Sequence, residues 1–497
     1  MTTIIPRWEW RTFGTRFARA KSVFGGLTPK DVQETDELYL LTETGSNVKV
    51  RFDLLDIKKL QEVNAAGLEQ WMPVMKAGFP LPAVTVDEVF KAMDVPTPPL
   101  ARSEYTLEQF VKDLCEPNPA VRPVQVHKRR VRYTVGGCMA EFSDVTAGGK
   151  MTQTIAVETE DAEAVVAAVR LLGLADYVNT NYTRGLAALV SGDLPRYAVI
   201  DVGTNSVKFH IGEPAGENSW RAVVDRAELT RLGEGLEKSG AIAPQAMERT
   251  ATAIAGMVAE ARQNGCVAIA VVGTAGLRIA SNAEDVIEFI RAQTGATIEI
   301  ISGEEEGRLA YLAVRAGLPL GEGSLVVFDT GGGSSQFTFG QGERVVERFS
   351  VNVGAVRYTE RFGLSGVVSS EVLTEALAVI SEDLSRIGGR PQPDTLAGMG
   401  GAITNLTAVS YKMAKYDPDV IQGSTLHRSE IERQIELYRS MTVERRREIV
   451  GLQPKRADVI LAGACVVLTI MDKLGVDSLT VSDRGLRHGL LVDRFSV

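Results

Sequence analysis

Two segments of the sequence repeat one pattern: an apolar run ends in an aspartate, a turn rich in glycine and hydroxyl side chains follows, and a second strand leaves. The first segment, 197–210, carries Asp201, and the second, 323–340, carries Asp329. Each apolar run predicts a buried strand, so each segment predicts a β-hairpin with a polar tip. Internal duplication of this kind predicts a two-lobed α/β fold with one such loop on each side of a cleft.

The two turns have the composition of phosphate-binding loops. Glycine lets the backbone approach a ligand closely, and exposed N–H groups and hydroxyls can donate to phosphate oxygens. After a predicted strand at 267–272, Arg278 could bind two phosphate oxygens at once, although a surface arginine without a ligand is an equal alternative. The candidate phosphate-binding residues are Gly203, Thr204, Asn205, Ser206, Arg278, Gly331, Gly332, Gly333, Ser334 and Ser335.

Three consecutive glutamates, 304–306, open a predicted helix directly after a strand. Ser302 is a suitable N-cap, and acidic side chains in a first turn interact favourably with the helix dipole. A carboxylate at a strand-to-helix junction can also act as the general base for an attacking water. Segment 396–405 is a further strand, glycine turn and helix, and it predicts a third contact to the ligand.

Residues 1–193 have a different pattern, in which short strands alternate charged and apolar side chains. These strands, at 8–13, 48–54, 127–134, 140–145 and 151–158, predict an antiparallel sheet with charged residues on one face, including Asp53. Glycine pairs at 136–137 and 148–149 predict its turns, and a helix is expected over 161–172. The candidate contacts for a polyanion are Lys49, Arg51, Lys128, Arg130 and Arg132. The same alternation is also typical of strands whose charged face is simply exposed to solvent.

Composition limits the classes of function. A net charge of -9 argues against a general binder of duplex nucleic acid, which needs a basic face. The four cysteines are widely spaced and form no metal-binding pattern, which fits a reducing cytoplasm. We expect no signal peptide and no membrane span, because no apolar run reaches 18 residues.

Residues from about 195 to the end resemble the exopolyphosphatase and guanosine pentaphosphatase (Ppx/GppA) family, whose fold is that of actin, hexokinase and Hsp70. The resemblance rests on five motifs in the family's order, at 201–206, 273–282, 301–306, 329–335 and 481–487. It implies release of a terminal phosphate from polyphosphate or guanosine pentaphosphate, with Mg2+ and often as a homodimer; guanosine tetraphosphate is a further candidate ligand. By position, Glu306 would be the base that activates water, and Asp201 and Asp329 would hold the metal.

Residues 1–193 are similar to the CYTH, or triphosphate-tunnel, family. That resemblance implies a domain that holds a polyanion, with a degenerate opening motif in which only Glu9 and Arg11 keep the register. Metal-dependent cleavage needs several carboxylates, so we expect binding and not catalysis from this domain. The predicted domains are therefore 1–193, lobe I at 194–322 and lobe II at 323–497, whose closing helix would return to lobe I.

The sequence departs from the Ppx/GppA pattern at two positions. Gln336 stands where the family usually has an acid after its second turn, so metal affinity and activity are expected to be lower. Thr204 replaces a serine and keeps the hydroxyl. Two other functions therefore stay open: a weakly active or non-catalytic sensor of polyphosphate or a guanosine alarmone, and an ATPase or sugar kinase of the same fold.

Overall fold

The computed structural model describes residues 6–204, 206–216 and 220–495. Asn205, one of the candidate phosphate-binding residues, lies outside this set. No helix in the described ranges has the length and apolarity needed to cross a membrane. All four cysteines are buried as free thiols.

Ten strands lie in the N-terminal region, and eight of them close into an antiparallel barrel with the order β1-β10-β9-β8-β2-β3-β4-β5. Glycines 136, 137, 148 and 149 have positive φ and form the two predicted hairpin turns. The strands are Trp8–Gly14 (β1), Asp31–Leu41 (β2), Asn47–Arg51 (β3), Leu54–Val63 (β4), Glu69–Gly78 (β5), Leu81–Pro82 (β6), Glu104–Tyr105 (β7), Arg122–Val135 (β8), Cys138–Ala147 (β9) and Lys150–Thr159 (β10).

The prediction of a single strand over 48–54 is wrong at its C-terminal end, because β3 ends at Arg51. Phe52 and Asp53 have φ of 52° and 56°, so they form a tight turn between β3 and β4. Asp53 therefore does not share a strand face with Lys49 and Arg51. The turn escaped prediction because it lacks the glycine or asparagine that usually takes positive φ.

The helices of the N-terminal region cover the barrel. The one expected over 161–172 is confirmed, with Asp161 as its N-cap. The helices are Ala18–Gly25 (α1), Ala83–Ala92 (α2), Leu107–Gln109 (α3), which continues as a π-helix over Phe110–Cys115, Ala162–Leu171 (α4) and Tyr182–Ser191 (α5).

The rest of the chain forms two lobes whose sheets share the order of their first four strands, third-second-first-fourth, which supports the predicted duplication; the lobe II sheet has one strand more. The lobe I sheet has the order β13-β12-β11-β14-β15, and the lobe II sheet has the order β18-β17-β16-β19-β21-β20. The strands are Arg196–Val202 (β11), Ser206–Pro214 (β12), Trp220–Leu229 (β13), Cys266–Gly273 (β14), Glu299–Ile300 (β15), Ser324–Thr330 (β16), Ser335–Gln341 (β17), Arg344–Val351 (β18), Thr395–Met399 (β19), Thr425–His427 (β20) and Ser478–Ser482 (β21).

Helices flank both sheets, so that buried strands face apolar helix surfaces. Short 3-10 turns occupy Ser385–Ile387 and Pro454–Arg456. The helices are Leu236–Ser239 (α6), Pro244–Gln263 (α7), Ala275–Ile279 (α8), Ala283–Thr294 (α9), Gly303–Gly317 (α10), Ala355–Phe362 (α11), Ser370–Asp383 (α12), Gly401–Ser410 (α13), Pro418–Ile421 (α14), Arg428–Arg439 (α15), Val443–Arg446 (α16), Ile460–Leu474 (α17) and Leu486–Arg494 (α18).

The last helix, α18, follows a lobe II strand but lies against lobe I. Gly489 brings it so close to α10 that any Cβ there would clash with the Leu309 carbonyl. Leu490, Leu491 and Phe495 are buried in the same apolar cluster as the first strand of lobe I. The helix therefore fixes the two lobes around the space between them.

The barrel and lobe I share one apolar core. Tyr177 packs edge-on against Tyr197 of β11 and against Phe495, with ring centroids 6.5 and 5.7 Å away. Backbone hydrogen bonds also join the regions: the Val178 amide donates to Val267 in β14 over 2.8 Å, and the Thr180 amide donates to Arg11 in β1 over 2.6 Å. The boundary expected near residue 193 is a change of architecture and not a gap between cores.

Candidate active site

A cavity of about 490 Å³ lies between the two lobes, where the Asp-x-Gly hairpins meet. It is lined by the ends of β11 and β16, the first turn of α10, the N-terminus of α13 and the segment between β21 and α18. Asp201 and Asp329 are the next-to-last residues of their strands. Because the carboxyl ends of parallel strands meet at one edge of a sheet, each aspartate lies at the edge that faces the cavity.

Asp201 is buried and pairs with a lysine that the sequence analysis did not identify. Cross-strand register places Lys208 opposite Asp201, and the Lys208 Nζ lies 3.1 Å from the Asp201 Oδ2. The Asp201 charge raises the pKa of Lys208 above its usual range, even though burial opposes this, and Asp329 adds to the effect. Lys208 is therefore a fixed cation beside both aspartates.

Asp329 lines the same cavity without a partner. Its carboxylate makes no ion pair or hydrogen bond with any residue the structure describes. Burial raises its pKa, the Asp201 charge adds to that rise, and Lys208 and Arg456 oppose it. Gly400 makes room for the carboxylate, because a Cβ there would clash with the Asp329 Oδ1. A carboxylate left in this state is one that a cation would stabilise.

Gln336 stands opposite Asp329, as Lys208 stands opposite Asp201. Its side-chain amide donates to the Ser334 hydroxyl over 2.9 Å. The two hairpins therefore carry one lysine and one glutamine at equivalent positions, and neither brings a negative charge.

Glu306 is the one glutamate of the 304–306 run that lines the cavity. Its carboxylate accepts a hydrogen bond from Arg278, which also donates to the Ile301 carbonyl over 2.7 Å. Burial raises the pKa of Glu306, and Arg278 opposes that rise. The other two glutamates face cations outside the cavity: Glu305 binds Arg308, and Glu304 lies 3.5 Å from Arg348.

The turn residues are divided between the cavity and the scaffold. Gly203, Gly331 and Gly332 line the cavity. The amides of Gly203 and Gly331 are already used to close their turns, by donating to the carbonyls of residues 206 and 334 over 3.1 and 2.9 Å. These two N–H groups are therefore not free for phosphate, contrary to the expectation from composition.

The remaining candidate residues lie outside the cavity lining, namely Thr204, Ser206, Arg278, Gly333, Ser334 and Ser335. Ser335 is fully buried, and its hydroxyl donates to the Val353 carbonyl over 2.7 Å. Thr204 packs against Gly233 and Gly276. In this geometry Ser335 and Thr204 support the loops, and Arg278 holds Glu306 instead of facing a ligand.

Three arginines that the sequence analysis left without a role line the cavity: Arg456, Arg484 and Arg487. The side chains of Arg456 and Arg484 form no ion pair within the described part of the chain, whereas Arg487 makes two hydrogen bonds to Asp225, of 2.8 and 3.1 Å. Arg484 and Arg487 belong to the motif at 481–487, so the sequence offered a signal for these two. Arg456 carried no signal, because it is the last residue of a 3-10 turn far from any motif and reaches the site over Gly401.

The N-terminus of α13 forms another wall, where Gly400, Gly401 and Thr404 line the cavity. Segment 396–405, for which a third contact to the ligand was predicted, therefore reaches the cavity. A helix N-terminus presents backbone N–H groups and a positive dipole end, which together favour an anion. With Lys208 and three arginines, the cavity combines donors for phosphate with four carboxylates, those of Asp201, Glu306, Asp329 and Asp483.

A model of the Ppx/GppA phosphatase family matches residues 215–496. The chain belongs to this family. It is 29% identical over 313 residues to exopolyphosphatase 2 of Mycobacterium tuberculosis, a match that covers 60% of this chain and 98% of that protein. It is 30% identical over 301 residues to the guanosine-5'-triphosphate,3'-diphosphate pyrophosphatase of Aliivibrio fischeri, covering 60% of this chain and 58% of that protein.

The solved structure of the Aquifex aeolicus Ppx/GppA family member superposes with a TM-score of 0.57 at 32% identity, over 60% of this chain and 97% of that one. The fold that the resemblance implied for the two lobes is thereby confirmed. The family match lies outside the barrel strands, so the resemblance of the barrel to the triphosphate-tunnel family stays a prediction.

The five cations predicted to contact a polyanion line one cavity inside the barrel. This second cavity has a volume of about 550 Å³. The cations come from neighbouring strands: Lys49 and Arg51 from β3, and Lys128, Arg130 and Arg132 from β8. Strand alternation thus placed them on a single face, and closure of the barrel made that face an interior.

Proposed function

We propose that this Ppx/GppA protein is a phosphohydrolase that releases the terminal phosphate of polyphosphate, of guanosine pentaphosphate, or of both. The observation that carries the proposal is the position of Glu306, a half-buried carboxylate with a raised pKa beside two aspartates and unpaired arginines. The names of the relatives support the same substrates. Both substrates present a row of phosphates, which the cationic wall of the cavity suits.

In the proposed reaction, the Glu306 carboxylate accepts a proton from a water that attacks the terminal phosphorus. The bond from that phosphorus to the bridging oxygen breaks, which releases orthophosphate and a chain one phosphate shorter. Arg278 keeps Glu306 in position, since its guanidinium is itself anchored on the Ile301 carbonyl. Lys208, Arg456 and Arg484 neutralise the phosphoryl oxygens, which is the main requirement of phosphoryl transfer.

Asp201 and Asp329 are the proposed holders of Mg2+. The donor set fits, because Mg2+ is usually bound by one or two carboxylates together with substrate phosphates and waters. The unpartnered carboxylate of Asp329 is the stronger candidate, since Asp201 already pairs with Lys208. When bound, the metal supplies charge neutralisation on the phosphate oxygens.

We also propose that the protein works in a reducing cytoplasm and that it forms a homodimer. The first of these is supported by its four cysteines, which are unpaired thiols.

A second candidate function, a polyphosphate or alarmone sensor, is favoured by one observation. The two equivalent hairpin positions of the cavity hold Gln336 and Lys208. An acid at the position of Gln336, which the family usually has, would give a metal more negative charge than this cavity offers. Such a protein would bind its ligand and turn it over slowly or not at all.

Release of orthophosphate separates the two candidates. The purified full chain is incubated with Mg2+ and polyphosphate beside two variants, Glu306→Gln and the matched control Glu304→Gln, which changes an exposed glutamate of the same turn. We expect Glu306→Gln to lower the rate by about 10² to 10⁴, the usual contribution of a general base, and Glu304→Gln to keep it. Equal rates for both variants would refute the assignment of Glu306.

A further inference from the structure

A cluster of two histidines and one aspartate lies directly behind the cleft. His210 belongs to β12, Asp225 to the neighbouring strand β13, and His488 to α18. Cross-strand register places Asp225 opposite His210, and the possible ligand atoms of the three side chains lie within 4.8 Å of one another. None of the three is among the residues that line the cleft. The cluster therefore joins lobe I to the last helix of the chain, and the proposed reaction gives it no role.

Two histidines and a carboxylate are ligands for a divalent metal, but the hydrogen bonds of this cluster do not suit one. Burial lowers the pKa of His488 to about 3, so its ring is neutral at ordinary pH. The Gly485 N–H donates to the His488 Nδ1 over 3.2 Å, so the ring proton is assigned to Nε2, which lies 3.4 Å from the Asp225 Oδ2. A metal on Nε2 would move this proton to Nδ1, where it would face the Gly485 N–H.

Asp225 instead faces three donors. Arg487 donates from its Nε to the Asp225 Oδ1 over 2.8 Å and from its Nη2 to the Oδ2 over 3.1 Å. The His488 Nε2 and the His210 Nδ1 lie 3.4 and 3.5 Å from the same Oδ2. Burial opposes ionisation of Asp225, yet the two histidines and Arg487 hold its pKa well below the usual range. Asp225 is therefore an ionised carboxylate held in place by β12 and α18.

The pair with Asp225 occupies one side of the Arg487 guanidinium and leaves the other side available. Its Nη1 makes no hydrogen bond with any residue that the structure describes, and Arg487 lines the cleft. The Asp201 charge raises the pKa of Lys208, and Arg487 opposes that rise. Burial raises the pKa of Asp483, and Arg487 opposes that rise as well. The charge of Arg487 therefore acts on Lys208 of lobe I and on Asp483 of lobe II, which both line the cleft.

We propose that Arg487 binds phosphate in the cleft and that Asp225 is the residue that positions it. Pairing with a carboxylate through two N–H groups fixes the plane of a guanidinium, so the remaining N–H groups keep one direction. An arginine held in this way loses less side-chain freedom when a ligand binds. His488 and His210 act on Asp225 and not on the ligand. The inference rests on the proposed function, because the ligand is the same row of phosphates.

The experiment measures binding of inorganic tripolyphosphate with Mg2+ by titration calorimetry. The full chain carries Glu306→Gln, so that turnover does not interfere. Binding in the cleft is defined as the part of the signal that Arg456→Gln/Arg484→Gln removes. We expect Arg487→Gln to weaken this binding at least about tenfold, the usual contribution of a hydrogen bond to a charged group. We expect Asp225→Asn to weaken it several-fold, because an amide presents its own N–H groups to donors and leaves Arg487 less fixed.

The matched control is Glu260→Gln. Glu260 accepts a hydrogen bond over 2.8 Å from Arg226, the neighbour of Asp225 on β13, and neither residue lines the cleft. This variant removes a carboxylate that pairs with an arginine of the same strand, and it should bind tripolyphosphate as its parent does.

A double-mutant cycle separates positioning from a purely structural role. If Asp225 acts through Arg487, Asp225→Asn has no further effect on binding once Arg487→Gln is present. A loss that reflects a disturbed fold would persist in that background. The stability of each variant is followed by denaturant unfolding, so that a change in affinity is compared only among folded proteins.

Unchanged cleft binding in Arg487→Gln would overturn the proposal, and so would full additivity of the two variants in the cycle. Stoichiometric Zn2+ retained by the wild type and lost in His210→Gln/His488→Gln would also overturn it, since the cluster would then be a metal site. If Arg456→Gln/Arg484→Gln removed no binding at all, the proposed function of the cleft would fail together with this inference. Cleft binding that depends on Arg487, in a wild type that releases no phosphate, would contradict the hydrolysis and support the inference.

Discussion

At the scale of single residues, the site depends on what stands opposite each aspartate. Gln336 was predicted from the sequence as a departure from the family, because a motif fixes its place beside the turn. Lys208 was not predicted, although it is the equivalent residue of the other hairpin. Its role follows from cross-strand register, which a single strand's sequence does not reveal.

Restoring an acid at Gln336 tests whether the missing charge limits the protein. We expect Gln336→Glu to lower the Mg2+ concentration needed for half-maximal activity about tenfold, since a nearby carboxylate adds roughly 1 to 2 kcal/mol of attraction at intermediate dielectric. The measurement is phosphate release against Mg2+ concentration. Gln341→Glu, at the exposed end of the same strand, is the control and should change nothing. An unchanged Mg2+ requirement in Gln336→Glu would show that the position does not face the metal.

The pH profile tests the pairing of Glu306 with Arg278. Glu306 must be ionised to accept a proton, so activity falls as the pH drops through its pKa. Burial raises this pKa and Arg278 lowers it. We therefore expect Arg278→Gln to move the acid limb of kcat/KM to higher pH, because the group that favours the charged form is gone. The control Arg291→Gln removes an exposed arginine of α9. An acid limb that stays in place, or moves to lower pH, would exclude Glu306 as the titrating base.

At the scale of elements, local sequence signals correctly predicted the turns, helix caps and hairpins whose conformation depends on neighbouring residues. The Gly-Gly turns of the barrel, the Ser302 cap of α10 and both Asp-x-Gly hairpins are confirmed, since each depends on backbone conformation within a few residues. The same reasoning missed the turn at Phe52 and Asp53, because tertiary context imposed positive φ on residues that rarely adopt it.

The contact between α18 and α10 yields a test at this scale. A Cβ at Gly489 would meet the Leu309 carbonyl, and a backbone cannot move aside as a side chain can. We expect Gly489→Ala to destabilise the protein by about 1 to 3 kcal/mol, the usual cost of overpacking. The measurement is denaturant unfolding. In contrast, Gly256→Ala in α7 meets open space and should be neutral or slightly stabilising. Equal stabilities of the two variants would contradict the close approach of α18.

At the scale of the whole molecule, the sequence analysis divided the chain into domains and missed how they are joined. Closure of the barrel and the apolar core shared with lobe I depend on contacts between residues far apart in the chain. At this interface, Tyr177 lies outside the site motifs and Tyr197 opens an apolar strand, so both look like ordinary core residues. This is why the sequence predicted a domain boundary near 193 and gave no sign of the shared core.

The shared core predicts that damage to it affects the whole chain. We expect Tyr177→Ala to lower the free energy of unfolding by about 3 kcal/mol, because it removes a buried ring that touches both regions. Unfolding is followed in denaturant, with Tyr411→Ala, an exposed tyrosine of lobe II, as the control. If the variant destabilised only the barrel, and left the unfolding of the lobes unchanged, the two regions would be energetically separate.

The most direct test of the central claim is the origin of the oxygen in the released phosphate. The full chain is incubated with polyphosphate and Mg2+ in water enriched in 18O, and the product is analysed by mass spectrometry. We predict orthophosphate that carries a single 18O atom, formed by the wild type and about 10² to 10⁴ times more slowly by Glu306→Gln. Orthophosphate without 18O from the solvent, or labelled product formed equally fast by the variant, would contradict attack by a water that Glu306 activates.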